Sequence, residues 1–254
     1  MATDEQAIGT RPSWFSLLIG IFVRPRQTFE LIREHGGSGW LLTAVFIIIL
    51  TALPTIVAGP ILQERARQEF LEVQEQFDPP PEFADQGVPD AIGSPLITVA
   101  LPAVGSVFAV ILAGWLIWSG AVHLLSMMSG GRNTFLQLLQ TAVWAWLPYS
   151  LRDLIQTIYI LVTGTIIENQ GLSGFAPVDQ ADIFTQPEPS QLALNQLLGY
   201  IDIYLFWNLA LLVLGISIMA QFSRRKSFGI VLIIWSLFTL LSLLPSLLIG
   251  GIAG

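Results

Sequence analysis

The stretch ITVALPAVGSVFAVILAGWLIWSGAVHLLSMM, residues Ile97–Met128, contains no acidic, lysine or arginine side chain. A helix needs about 20 apolar residues to cross the hydrocarbon core of a bilayer, and this stretch is longer than that. The strands of a membrane barrel would alternate polar and apolar residues, and this stretch does not. The sequence therefore predicts a transmembrane helix here, which we place at 99–126.

Apolar runs elsewhere in the chain predict further crossings, which we place at 40–58, 138–163, 198–221 and 228–250. Over its 254 residues the chain is 53% hydrophobic and only 11% charged. Soluble domains carry about 25% charged residues, so there is too little polar surface here to cover a soluble fold. The predicted fold class is all-α: an integral membrane bundle of about five transmembrane helices, formed by residues 39–254.

Residues 1–38 are predicted to form a cytoplasmic or interfacial arm. The apolar run Trp14–Val23 is too short to cross and predicts an amphipathic helix lying flat in the interface, with Trp14, Arg24 and Arg26 contacting lipid. A second short helix is predicted at Phe29–His35. Polar residues precede the apolar run, the reverse of a secretory signal, so no cleaved signal peptide is expected.

The lysine and arginine residues predict the orientation, because basic loops stay on the cytoplasmic side. One side would carry Arg11, Arg24, Arg26, Arg33, Arg132, Arg224, Arg225 and Lys226, and the other only Arg65 and Arg67. The N-terminus is thus predicted in the cytoplasm and the C-terminus outside. Two acidic outer loops, 60–95 and 165–197, are interpreted as solvated, since neither shows the spacing of a calcium site.

Three charged residues lie within or beside the predicted spans: Arg152, Asp153 and Asp202. Charge inside a membrane is costly and usually functional, so one interpretation is a buried network that guides protons or ions. The other is structural. A kink at Pro148 would bring Arg152 near the outer interface, where it would pair with Asp202 and fasten two helices. The structural interpretation is favoured.

Small residues predict a helix-packing face. Gly105, Ala109 and Ala113 recur every four residues, the spacing that allows helices to approach closely, within the bundle or in a dimer. His123 is the one histidine in a predicted span, and a polar role at the helix end is favoured over ligation of a pigment.

The sequence contains none of the common catalytic or nucleotide-binding motifs, and it has no cysteine. We expect no enzymatic activity, no cofactor and no metal site. No basic surface interleaved with aromatic residues indicates nucleic acid as a partner. The expected partners are the lipid bilayer and other membrane proteins, or a second copy of the chain.

The order of three short motifs resembles the Yip1 family of five-span membrane proteins in its short prokaryotic form. They are RPRQTFELI at 24–32, GGRNTF at 130–135 and AVWAWLP at 142–148. The resemblance implies five helices, a cytoplasmic N-terminus and a prokaryotic plasma membrane. Eukaryotic members bind Rab-type GTPases through a longer cytoplasmic region than this chain has, so that function is not carried over.

The favoured function is that of a non-enzymatic scaffold or adaptor for membrane proteins or for membrane organisation. The alternative is a small transporter or channel that uses Arg152, Asp153 and Asp202. A weaker alternative is an accessory subunit of a larger membrane complex, with His123 as a ligand.

Overall fold

The computed structural model describes residues 12–37, 39–76, 101–178 and 188–252, and every regular element in these ranges is helical. The described ranges contain nine α-helices and a 3₁₀ turn at Ser173–Phe175. They are α1 (Trp14–Val23), α2 (Pro25–His35), α3 (Gly39–Gln76), α4 (Leu101–Met128), α5 (Phe135–Ala145), α6 (Leu147–Thr163), α7 (Pro189–Tyr200), α8 (Ile203–Met219) and α9 (Arg224–Ile252). The parts of the predicted acidic loops at 77–95 and 179–187 lie outside the described residues, as does the start of the arm.

Three of the described helices are long and apolar enough to cross a membrane: α3 over Gly39–Gln68, α4 over Val104–Met128 and α9 over Arg224–Leu247. A fourth candidate is the pair α7 and α8, if the two helices, bent by 62°, form one crossing. The predicted fold class, an all-α integral membrane bundle, is confirmed. The count of about five spans and their bounds stay predictions.

The third predicted span, 138–163, is not one kinked helix in the structure. Helix α5 ends at Ala145, and α6 begins at Leu147 with Pro148 in its first turn. Proline lacks an N–H and its ring clashes with the carbonyl four residues earlier, so the chain breaks before Pro148 rather than bending through it. The break at Trp146 separates a buried, uncharged half from a half that carries Arg152 and Asp153.

The arm is part of the bundle core. Phe29 of α2 is fully buried, and it reaches Gly215 of α8. A Cβ atom at Gly215 would lie 3.0 Å from Phe29 Cε1 and closer still to the methyl group of Thr141 on α5. We call this meeting of Phe29, Thr141 and Gly215 the glycine contact. The described part of the arm therefore packs against other helices. Only its side chains that face away from the bundle are left for the predicted contact with the membrane interface.

The buried face of α4 differs from the predicted one. Ile111, Trp115 and Val122 are buried against the bundle, at helical spacing. Gly105, Ala109 and Ala113 are exposed, and a Cβ atom on Gly105 would meet nothing within 4 Å. The prediction that these small residues pack within the bundle is wrong, because larger side chains fill that side of α4. Their use in a dimer stays a prediction.

Candidate functional site

The structure brings the three predicted charged residues together, and we call them the charge cluster (Arg152, Asp153, Asp202). Arg152 Nη1 donates to Asp202 Oδ2 at 3.1 Å, and its Nη2 lies 3.4 Å from Asp153 Oδ1. The guanidinium carbon also lies 5.0 Å from the centre of the Tyr149 ring, in cation–π range. One arginine thus connects α6 to the start of α8.

Asp202 has a second role. It is the N-cap of α8, where its Oδ1 accepts a hydrogen bond from the backbone N–H of Leu205 at 2.6 Å. An N-cap carboxylate satisfies a helix N–H that has no partner within the helix, and it interacts favourably with the helix dipole. Each carboxylate oxygen of Asp202 therefore has its own partner, one in α8 and one in α6.

Asp153 is less completely satisfied. It is buried, and its Oδ2 atom forms no hydrogen bond of normal geometry among the described residues, although the Thr51 side chain of α3 interacts with the carboxylate. It shares the buried face of α6 with Ser150 and Thr157, and that face packs against α3. The Ser150 hydroxyl also lacks a described partner. With two carboxylates and one guanidinium, the charge cluster holds one negative charge in excess.

A side chain of α8 hydrogen-bonds a carbonyl group that the helix break at Trp146 leaves free. Ending a helix leaves carbonyl oxygens without N–H donors, which is unfavourable when they are buried. Asn208 of α8 is buried, and its side-chain amide donates to the Ala145 carbonyl at 2.7 Å. Sequence reasoning missed this residue. The available signal was an amide side chain in the otherwise apolar segment Ile203–Met219.

A cavity of about 670 Å³ opens beside the charge cluster, and Arg152 and Tyr149 are in its wall. Trp115 and Trp146 meet there edge to face, with ring centroids 6.2 Å apart. Most of the remaining lining is apolar and comes from α4, α8 and α9. A mainly apolar cavity with a few polar groups at one side is typical of a small-molecule site. Sequence reasoning missed this cavity because residues from six separate described helices form it.

The three predicted lipid contacts are placed differently from one another. Trp14 is half-buried, and its indole N–H donates to Thr43 Oγ1 of α3 at 3.0 Å. Arg24 is exposed, and Arg26 Nε lies 3.0 Å from Glu30 Oε1. Trp14 therefore fixes α1 to the bundle, and lipid contact by Arg24 and Arg26 stays a prediction.

His123 lies at the turn between α4 and α5. Its Nδ1 is 3.1 Å from the Asn133 amide nitrogen, and its ring meets Phe135 edge to face. Gly131 is required in this turn, because a Cβ atom there would lie 2.8 Å from Phe222 Cζ and overlap the Ser126 hydroxyl. The GGRNTF motif thus forms a compact connection in which His123 is a packing partner.

These features define a helical multi-pass membrane protein with a buried charge cluster. A Yip1-domain model matches residues 19–244, and the chain belongs to the Yip1 family, as its motifs indicated. Among curated relatives, the membrane protein YknW of Bacillus subtilis (strain 168) is 24% identical over 239 residues, covering 93% of this chain and 92% of YknW. No solved structure matches the chain.

Proposed function

We propose that this protein is a non-enzymatic membrane scaffold that assembles laterally with another membrane protein through the exposed face of α4. The observation that carries the proposal is the row of Gly105, Ala109 and Ala113 on that face. Small residues let a second helix approach closely enough for dispersion contacts to accumulate, which is how helices associate in lipid. No charged side chain interrupts α4.

The charge cluster supports the same proposal. Arg152 and Asp202 connect two helices directly, and Asp202 also caps one of them. A partnered charge of this kind rigidifies the bundle, and a rigid body presents a constant surface to a partner.

The basic ends of the helices are proposed to lie in the cytoplasm, which places the C-terminal end outside. A reporter fused at Gly254 would test this orientation, and it is expected to be detected outside the cell.

Photo-crosslinking in native membranes tests the scaffold. A photoreactive residue at Ala109 is expected to give a discrete crosslinked band, which mass spectrometry then identifies as a different membrane protein or a second copy. Ile158 of α6 is the matched control, since it is also apolar and exposed but lies on another face. Equal crosslinking from both positions, or none from Ala109, contradicts the proposal.

A second candidate function is that of a small transporter or channel. It is favoured by Asp153 Oδ2, which forms no hydrogen bond of normal geometry among the described residues, and by the cavity of about 670 Å³ that reaches Arg152. A buried carboxylate that contacts an arginine in the wall of a cavity is a suitable place for a proton to bind and leave. The accessory-subunit alternative has no comparable support, because His123 is engaged by Asn133.

Proteoliposomes separate the two functions. Vesicles that contain the purified protein and a pH-sensitive dye are exposed to an imposed membrane potential, and the proton flux is measured. The scaffold proposal expects the same leak with and without protein. A flux that Asp153→Asn abolishes would overturn it in favour of the transporter, and Glu188→Gln, outside the charge cluster, serves as the matched control.

A further inference from the structure

A basic cleft lies where α2 meets the turn between α8 and α9, separate from the charge cluster. Its volume is about 500 Å³, and its lining includes three arginines, Arg26, Arg33 and Arg224, but one acidic residue, Glu30. The remaining wall is partly apolar and comes mainly from the end of α8 and the residues after it: Leu214, Ile218 and Phe222.

The arginines of the basic cleft differ in how they are held. Arg33 Nη1 donates to the Ile218 carbonyl at 3.2 Å, which fixes its guanidinium while leaving its charge unmatched. Arg26 pairs with Glu30, so those two charges balance. Arg224 forms no ion pair with any described residue. The cleft therefore holds two positive charges, those of Arg33 and Arg224, that form no ion pair with a carboxylate of the described residues.

The level at which the cleft lies in the bilayer indicates which kind of ligand would bind these positive charges. Arg224 is the first residue of the candidate span Arg224–Leu247, so the cleft lies where the hydrocarbon ends and lipid phosphates begin. Guanidinium groups match the geometry of phosphate oxygens and bind them through paired N–H donors. At the start of α9, Ser223 Oγ accepts a hydrogen bond from the Lys226 N–H at 3.4 Å, and the helix dipole favours an anion at the same place.

We infer that the basic cleft binds the phosphate of an anionic phospholipid, with Arg33 and Arg224 as donors. Free phosphate offers the same oxygens, but it would leave the half-buried apolar wall of Leu214 and Phe222 uncovered. An acyl chain covers that wall while the head group meets the arginines. A bound lipid would connect α2 to the α8–α9 turn and so hold the arm in the bundle.

The test uses the full chain, delipidated in a mild detergent, and measures its melting temperature during titration. The three probes are short-chain phosphatidylglycerol, short-chain phosphatidylcholine and inorganic phosphate. Phosphatidylglycerol is expected to raise the melting temperature in a saturable way, and the other two are not. Arg224→Gln is expected to weaken the apparent affinity about tenfold, the loss of one charge-assisted hydrogen bond.

Arg225→Gln is the matched control, because Arg225 is also exposed at the start of α9 but does not line the cleft. It is expected to leave the affinity unchanged. Equal weakening by the two variants would overturn the inference in favour of general surface attraction. A response to phosphatidylcholine equal to that to phosphatidylglycerol would overturn the role of charge. A comparable response to inorganic phosphate would overturn the lipid as ligand.

Discussion

Helix α8 meets its neighbours in two opposite ways. Near its end, the glycine contact leaves no room for a side-chain carbon between Gly215, Phe29 and Thr141. At its start, Asp202 forms an ion pair with Arg152 of α6. Lipid is as apolar as a leucine side chain, so burial alone gives helices little reason to associate in a membrane. Shape specifies the first contact, and charge specifies the second.

Removing the Phe29 ring from the glycine contact should lower the stability of the protein more than the other changes described below. Phe29→Ala is expected to lower the free energy of unfolding by about 4 kcal/mol, because a cavity replaces a fully buried ring. Unfolding by sodium dodecyl sulfate in mixed micelles measures it. Phe15→Ala is the matched control, since that ring is 64% exposed, and it should change stability little. Similar losses in both variants would show that Phe29 is not a packing anchor.

Filling the same contact from the other side should have the next largest effect. Gly215→Ala is expected to cost about 2–3 kcal/mol, since the added methyl group overpacks the site. Gly229→Ala is the matched control, because a Cβ atom there meets nothing within 4 Å. Adding Thr141→Ser removes the methyl group that lies closest and should restore part of the loss. Simple additivity of the two changes would contradict direct contact.

The shape-specified contact could not be predicted from the sequence, and its residues explain why. Phe29 and Ile32 are spaced as one buried face of α2, yet the same spacing suits a helix lying on lipid. The row of Gly105, Ala109 and Ala113 had the correct spacing for close packing but turns away from the bundle. Spacing identifies a face of a helix, whereas only the positions of the other helices decide what that face meets.

The charge-specified contact was easier to foresee. Few residues in the apolar segments carry charge, so Arg152 had few partners within the membrane other than Asp153 and Asp202. The helix break before Pro148 was harder to predict, because the apolar run continues across it. A single helix kinked at Pro148 fits the same sequence equally well. Asn208, which accompanies the break, depends on a contact 63 residues away in sequence. The long uncharged helix α4 was the simplest prediction, since composition alone determines it.

Breaking the ion pair should have a smaller effect than disturbing the glycine contact. Asp202→Asn is expected to lower the free energy of unfolding by about 2 kcal/mol, through loss of a charged hydrogen bond, while the amide oxygen still caps Leu205. Asp153→Asn is the matched variant and should cost less, about 1.5 kcal/mol, because the contact of Asp153 Oδ1 with Arg152 is longer, at 3.4 Å, than the 3.1 Å contact of Asp202. If Asp153→Asn lowered the free energy of unfolding more than Asp202→Asn in the same detergent assay, Asp153 would be the more important partner of Arg152.

The smallest effect is expected at the helix break. Asn208→Leu leaves the Ala145 carbonyl without its donor, and hydrogen bonds between membrane helices are worth about 1 kcal/mol. Gln191→Leu, an exposed position on α7, is the matched control and should leave unfolding unchanged. Amide exchange in the α5 and α6 backbone would report the local loosening directly. Unchanged exchange near Trp146 would mean that the amide does not support the break.

The burial of Phe29 and the hydrogen bond of Arg33 have a consequence for how the protein is made. Arg33 meets a carbonyl that lies 185 positions later in the chain. At translation rates of 5–20 residues per second, that partner leaves the ribosome roughly ten to forty seconds after the arm. Until then the nascent arm has no pocket to enter. The arm is therefore synthesised well before the helix that it packs against, and it finds its place only after α8 has been inserted.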